Sequence, residues 1–277
     1  MIKIDFKGRR VDFYNSVNFS KKQNIPIYDI LIQAYDQNVL IDNEKKLLKN
    51  FIEFINKFNF SFKSQLLQDI FAFFVINKNF KNTYLEFGAT NGIDLSNSYM
   101  LENDLNWSGV LVEPDTQWIN ILKINRPNSK IVNKCIWKSS GEKLNFFSSK
   151  QGELSTLEDF KYSDKESFPG NTNERNLAGK NILVETLSLN DLIKHEFNDV
   201  CPSYISIDTE GSEYEILNYL DFTKYRPAVF TVEHNFTELQ SKIEDLMYKN
   251  NFVRLFKNLT VFDAWYVSKE AINKLKE

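Results

Sequence analysis

The residues of this chain best suited to chemistry are carboxylates that end short apolar runs. The first is Glu86, in Tyr84-Leu85-Glu86-Phe87-Gly88-Ala89-Thr90-Asn91-Gly92. Gly88 and Gly92 carry no Cβ, so the backbone there can turn sharply and approach a ligand closely. A dinucleotide-binding turn has G-x-G-x-x-G and receives a pyrophosphate at a helix N-terminus. Glutamate at 86 is a poor neighbour for phosphate. It suits the sulfonium and ammonium groups of S-adenosylmethionine (SAM), so the pattern favours SAM over NAD. The second acid is Glu113, in Trp107-Ser108-Gly109-Val110-Leu111-Val112-Glu113-Pro114. It follows Gly88 by about 25 residues, near the interval at which a strand-end acid accepts both ribose hydroxyls.

A further acidic centre lies in Ser203-Tyr204-Ile205-Ser206-Ile207-Asp208-Thr209-Glu210-Gly211-Ser212-Glu213-Tyr214-Glu215. If the strand stays extended through 210, Asp208 and Glu210 point to one face. Acids in a first helical turn are stabilised by the dipole, and Ser212 with Glu215 fits a capping box. Capping does not explain Asp208 and Glu210, and Glu213 is open between the two roles. The run Ala228-Val229-Phe230-Thr231-Val232-Glu233-His234-Asn235 ends in one of two histidines. Adjacent strand residues face opposite ways, so Glu233 and His234 are not expected to share a job. Parallel strands lie about 5 Å apart, which brings His234 within reach of Asp208. It is expected to act as a general base, with an unperturbed pKa near 6.5. Alternatively it joins Asp208 and Glu210 around a divalent cation, Mg, Mn or Fe(II). His195, near the end of a helix opened by Ser188-Leu189-Asn190-Asp191, reads as structural.

The elements that must hold these residues alternate. Strands are expected at 83–87, at 109–113 and through Ser129–Ile136, where Cys135 and Ile136 offer backbone to an adenine pocket. Helices are expected from the glycine turn to about Glu102 and near 115–125. Such alternation implies a parallel, doubly wound sheet. In the order 3-2-1-4-5, the first and fourth strands flank the switch point where ligands bind. A helix over 237–249 and a terminal antiparallel hairpin, 252–256 with 261–267, complete it. Residues 148–181, rich in Ser, Asn, Gly, Lys and Glu, break the rhythm and read as a substrate lid or a disordered loop. Before the sheet, residues 1–24 read as a solvated arm. Ile27, Ile30, Leu31 and Ala34, then Leu47, Leu48, Phe51, Ile52, Ile55 and Phe58, mark two amphipathic helices, packed on the main domain or on a second subunit.

Bulk properties narrow the function. The 277 residues are 42% hydrophobic and 26% charged with net charge −3, so the chain is globular and lacks the basic face that nucleic acid requires. No stretch approaches about 18 uninterrupted apolar residues, and no leader is evident, so a cytoplasmic protein is expected. Cys135 and Cys201 form neither a disulfide frame nor a zinc site.

Taken in order, Y-L-E-F-G-A-T-N-G, W-S-G-V-L-V-E-P, I-D-T-E-G-S-E-Y-E-I-L and V-E-H-N resemble the FkbM family of SAM-dependent methyltransferases over about residues 64–267. The resemblance implies an α/β class I SAM-dependent methyltransferase with a Rossmann-like, mostly parallel sheet (63–277) behind an N-terminal helical extension (1–62). It implies O-methylation of a small sugar, nucleotide-linked and destined for bacterial surface polysaccharide or capsule; a heptose is one case. By position, Glu86, Gly88, Ala89, Thr90, Asn91, Gly92, Ser96, Glu113, Cys135 and Ile136 fall to the cofactor. Asp208, Glu210, Glu213 and His234 fall to the reaction side. Thr90 departs from the Asn or Asp common there. The rival readings are an O-methyltransferase of a non-sugar molecule, an NAD-dependent oxidoreductase and a SAM-fold scaffold without activity. A homo-oligomer through the N-terminal helices is a further expectation.

Overall fold

A computed structural model describes residues 42–55, 57, 61–76 and 80–276. The expected arm and the helix over Ile27–Ala34 lie outside them. In chain order the elements are α1 (Asp42–Ile55), α2 (Gln68–Ile76), β1 (Thr83–Phe87), α3 (Tyr99–Asn103), β2 (Ser108–Val112), α4 (Thr116–Asn125) and β3 (Lys130–Val132). Then come β4 (Cys135–Trp137), β5 (Lys143–Ser149), β6 (Thr156–Leu157), α5 (Pro169–Leu177), β7 (Gly179–Ser188) and α6 (Leu189–Glu196). Last are β8 (Tyr204–Ile207), α7 (Glu213–Asn218), β9 (Val229–Glu233), α8 (Leu239–Lys249), β10 (Phe252–Leu255), β11 (Asp263–Ser268) and α9 (Lys269–Lys276).

The main sheet has the order β3-β2-β1-β8-β9-β11-β10, and only β11 runs against its neighbours. Its strands are apolar on both faces, as buried parallel strands must be. Tyr84, Leu111, Tyr204 and Val229 enter one core with α1, α2 and α9. Leu85, Phe87, Val110, Ile205, Ile207, Phe230 and Val232 enter the other with α6, α7 and α8. Successive strand residues point to opposite faces, which divides one sequence between two cores. The apolar stripe of α1 turns inward: Phe51 meets Phe71, Phe74 and Trp265 at ring separations of 5.7, 5.2 and 6.2 Å. This helix packs on its own domain, so its apolar face is not left for a second subunit.

Three local expectations differ from the structure. The glycine turn does not open directly into a helix; residues 90–98 are irregular and α3 begins only at Tyr99. Asn91 Oδ1 accepts the amides of Ile93 and Asp94, both at 2.9 Å, and Leu95 has φ +59°, so helical bonding cannot start there. The expected third strand is split: β3 stays in the main sheet, while β4 pairs with β7 in a second sheet of order β4-β7-β5-β6. Asn133, between them, donates to the carbonyls of Glu113 (2.8 Å) and Pro114 (3.0 Å) and so leaves the strand ladder. Residues 148–181 are not a disordered loop. They hold the end of β5, two short helical turns at Gly152–Leu154 and Glu158–Phe160, β6, α5 and the start of β7.

Candidate active site

A cavity of about 250 Å³ opens at the carboxyl ends of β1, β2, β8 and β9, lined there by Glu86, Gly88, Val112, Glu113, Asp208 and Glu233. The position is the switch point expected for a sheet that turns outward on both sides of β1. Gly88 has φ +70°, and a Cβ there would collide with the main-chain carbonyl of Asp208. The glycine therefore serves the close approach of β1 to the exit of β8 while leaving bare backbone facing the cavity.

Glu86 borders the cavity but is not a naked countercharge. Its Oε1 accepts the Asn97 amide at 2.8 Å, and its Oε2 accepts Ser96 Oγ at 3.0 Å and the Ser98 hydroxyl. Arg126 Nη1 lies 3.9 Å from the same oxygen. Arg126, wholly buried, also bonds Glu102 (2.6 Å), the Gly92 carbonyl (3.0 Å) and the Tyr84 hydroxyl (2.9 Å). Burial by itself would raise the Glu102 carboxyl, yet Arg126 and the hydroxyls of Ser129 and Tyr84 hold it below its ordinary value. Gly92 sits under this hub; a Cβ there would fall 2.6 Å from Leu122 and 2.7 Å from Arg126. Glu86 thus holds residues 96–98, of which Ser96 and Asn97 line the cavity.

Glu113 lines the cavity just beyond β2. Oε2 accepts the Thr90 amide and Oε1 the Asp115 amide, both at 2.8 Å, so each oxygen keeps a lone pair for a further donor. Burial pushes its carboxyl up to about 7, against the two amide bonds. Thr90, Ser96, Cys135 and Ile136 also line the cavity. Ala89, Asn91 and Gly92 do not. They form the turn behind it: Gly92 N–H donates to the Ala89 carbonyl at 2.8 Å, and Asn91 Nδ2 donates to Asp94 at 2.7 Å.

On the opposite wall Asp208, Glu210 and Glu233 converge, with a carboxylate oxygen of each within 4.8 Å of the others. The strand ends at Ile207 and Glu210 has φ +57°, so convergence comes from a left-handed turn and not from a continued strand. Glu210 and Glu233 are buried and Asp208 is half-buried; all three line the cavity. Burial raises all three carboxyls and mutual repulsion adds to it, while a hydrogen bond to Glu233 lowers Asp208. One shared proton relieves that repulsion. Asp263, which accepts Gln68 Nε2 at 2.8 Å, is raised by burial to about 7 and lies close enough to push Asp208 upward.

Two expected members of this wall are elsewhere. Glu213 Oε1 accepts the amides of Thr209 and Gly211 and the Thr209 hydroxyl, each at 3.0 Å. It is the clamp of the turn, with no face on the cavity. The capping box expected of Ser212 and Glu215 is not formed: Ser212 makes no cap bond and donates instead to Thr209 Oγ1 at 2.9 Å. His234 turns to the other side of the sheet. Its Nδ1 accepts the Phe236 amide at 3.1 Å, its Nε2 lies 3.0 Å from Arg254 Nη2, and its ring does not line the cavity. Strand alternation assigns the site to Glu233 and withholds it from His234. His234 is therefore placed neither as the base nor as the metal ligand beside Asp208 and Glu210.

The excursion after β5 supplies the remaining wall: Gln151, Leu154, Phe168, Asn171 and Glu174 line the cavity. The segment was marked in the sequence as a lid or loop, though not these residues within it; Arg126, Asp94 and Gln65 were not marked as site residues. Glu233 was visible beside His234.

Residues 86–255 match the family model described as Methyltransferase FkbM domain. No curated protein sequence matches the chain. Among solved structures, the chain is similar to an O-methyltransferase from Bacillus cereus in complex with SAH: 10% identity, TM-score 0.40, covering 92% of this chain and 97% of that one. It is also similar to a precorrin-6y C5,15-methyltransferase from Geobacter metallireducens GS-15 (10%, TM-score 0.36, 72% and 85%) and to a fibrillarin/Nop5p complex (12%, 0.33, 66% and 70%).

Proposed function

The chain belongs to the FkbM family of methyltransferases, and from that premise we propose that it is a SAM-dependent O-methyltransferase acting on a hydroxyl of a small sugar. The observation that carries this reading is one cavity with two unlike walls. One has bare backbone at Gly88 and a Glu113 carboxylate with lone pairs to spare, which fits an amino-acid tail and a ribose diol. The other presents an acid group around Asp208.

SAM supplies an electrophilic methyl. The acceptor oxygen bonds to that carbon as the carbon–sulfur bond breaks, and S-adenosylhomocysteine leaves. The hydroxyl proton passes to Asp208, the least buried of the three acids that line the cavity. Its raised pKa suits a general base near neutral pH. Holding the two reactants in line supplies most of the rate. Asn171, Glu174, Gln151 and Asn235 around the remaining space suit a polyhydroxylated acceptor.

Nucleotide-linked sugars of bacterial surface polysaccharide and capsule, heptoses included, form the first test panel. Among the described lining residues the only cation is Lys134, already paired with Glu185 at 2.6 Å, so a diphosphate would lie at the mouth of the cavity. Incubation with SAM and this panel, with mass spectrometry of the products, should give S-adenosylhomocysteine and a methyl ether. A protein that fails to bind SAM, or that methylates only carbon or nitrogen, would contradict the proposal.

A divalent cation on the acid group is a second reading, supported by Glu233 Oε2, which is buried without a hydrogen-bond partner. Three carboxylate oxygens suit Mg or Mn; without an imidazole in the set, the case for Fe(II) weakens. Asp208, Glu210 and Glu233 would hold the ion, which would acidify a bound hydroxyl. Turnover should then vanish after EDTA and return with Mg or Mn. Full activity in EDTA removes this reading and leaves Asp208 as the base.

A further inference from the structure

Glu210 belongs to two assemblies at once. Its side chain is part of the acid group, and its Oε2 also accepts Arg175 Nη2 at 2.8 Å and Asn235 Nδ2 at 3.2 Å. Arg175 comes from α5, in the excursion, and is 1% exposed. Its other donors reach the Leu154 carbonyl (2.9 Å), the Lys161 carbonyl (3.3 Å) and Asp164 Oδ1 (2.6 Å). A single guanidinium thus gathers separate turns of the excursion and fastens them to the exit of β8. A fork of fixed donors can do this, whereas a lysine ammonium cannot span the same acceptors.

Other contacts share the seam. Thr156 Oγ1 donates to the Glu210 carbonyl at 2.9 Å. Gly211 lies so close to the excursion that a Cβ would come 2.6 Å from Ser163 Oγ and 3.0 Å from Phe160. Phe168, Asn171 and Glu174, on or beside α5, form the acceptor-side wall. Whatever seats Arg175 therefore seats that wall. Stability alone is a weak explanation for the pair, because a buried ion pair is often no better than an apolar replacement.

We propose that Arg175 is a positioning residue that couples the seating of the 152–177 cap to the placement of Glu210 in the acid group. The acceptor pocket and the acid group assemble together, while the cofactor wall at Gly88 and Glu113 forms independently. The consequence for turnover rests on the methyl-transfer reading; the coupling itself does not.

Hydrogen–deuterium exchange on the full chain tests it. Arg175→Met and Glu210→Gln should each speed exchange by at least about tenfold in both 152–167 and 207–213, with the double variant no faster than either single one. Amides of β1 and β2 should be unchanged, and SAM affinity should move by less than about threefold while kcat for any acceptor found falls by at least about tenfold. Exchange rising in 152–167 alone would make Arg175 a staple of the cap and overturn the coupling, as would loosening that spreads equally to β1 and β2. Should Arg175→Met fail to fold, Glu210→Gln decides. Coupled exchange without detectable methyl transfer would sink the functional reading and leave the coupling standing.

Discussion

Replacing Arg126 with methionine should cost this fold more than any other exchange of a single polar side chain near the cofactor wall. The guanidinium is 1% exposed and lies between two buried carboxylates, Glu102 at 2.6 Å and Glu86 at 3.9 Å. Removing one partner of a buried pair leaves an uncompensated charge and costs about 3–5 kcal/mol. At roughly 2–4 °C per kcal/mol for a chain of this size, the melting temperature should fall by about 6–20 °C. The pH dependence identifies the cause. In the parent, Glu102 is held below its ordinary value of 4.5, so its stabilisation is complete above that value and is lost only as pH falls through the lower folded one. Without Arg126, burial dominates and raises the carboxyl. The variant then loses stability as pH rises from about 4.5 to the new folded value and regains it on acidification. Thermal melts of both proteins at about pH 7 and pH 5 should show the gap closing at the lower pH, and adding Glu102→Gln to Arg126→Met should recover part of the loss at pH 7. A gap equal at both pH values, with no recovery in the double variant, would refute the assignment of Arg126 as a buried countercharge.

Gly88→Ala should abolish SAM binding in calorimetry and lower stability, because φ +70° disfavours a side chain and the new methyl would strike the Asp208 carbonyl; undiminished binding would rule out that close approach. Glu113→Gln should weaken SAM by about 10–100-fold, the range for hydrogen bonds to a charged group. Parent affinity should rise with pH through about 7, where Glu113 gives up its proton and becomes a full acceptor for a diol; a flat profile would count against it. Asp208→Asn should cut turnover by about 10²–10⁴-fold, whereas His234→Gln should lower the melting temperature and leave turnover within about threefold. The reverse ranking would restore His234 as the base.

The alternation of strands and helices, the order of the central strands and the acids at their tips were legible because they depend on short-range pattern: short continuous apolar runs, punctuating glycines and terminal carboxylates. The second sheet was not. Its long pair joins Lys143–Ser149 to Gly179–Glu185 across 29 intervening residues, and neither strand alternates cleanly, since Leu183 is exposed while Ser148 and Ser149 are buried. Arg126 was equally silent. It caps α4, yet its partners Glu86, Glu102, Gly92 and Tyr84 come from three other parts of the chain. Its burial is a property of the assembled fold, with no local signature.

Glu233 against His234 is the instructive case, because the signal was present and chemical habit overrode it. In register, Glu86 pairs with Ser206 and Ser206 with Thr231, so these polar residues form one row across β1, β8 and β9. The row is bonded: Asn97 Nδ2 donates to Ser206 Oγ at 3.0 Å, Thr231 Oγ1 to Ser206 Oγ at 3.2 Å, and the Tyr204 hydroxyl to Thr231 Oγ1 at 2.8 Å. Stepping by two along each strand from that row leads from Ser206 to Asp208 and from Thr231 to Glu233. His234 has the opposite parity, with Val232, whose side chain is in the apolar core. Polar residues inside an otherwise apolar parallel sheet are costly and mark the face that must stay wet or bonded. Had parity been read from Tyr-x-Ser-x-Asp and Val-x-Thr-x-Glu before residue type, it would have placed a third carboxylate beside Asp208 and Glu210. The histidine would then have been assigned to the packing between β9 and Arg254 of β10.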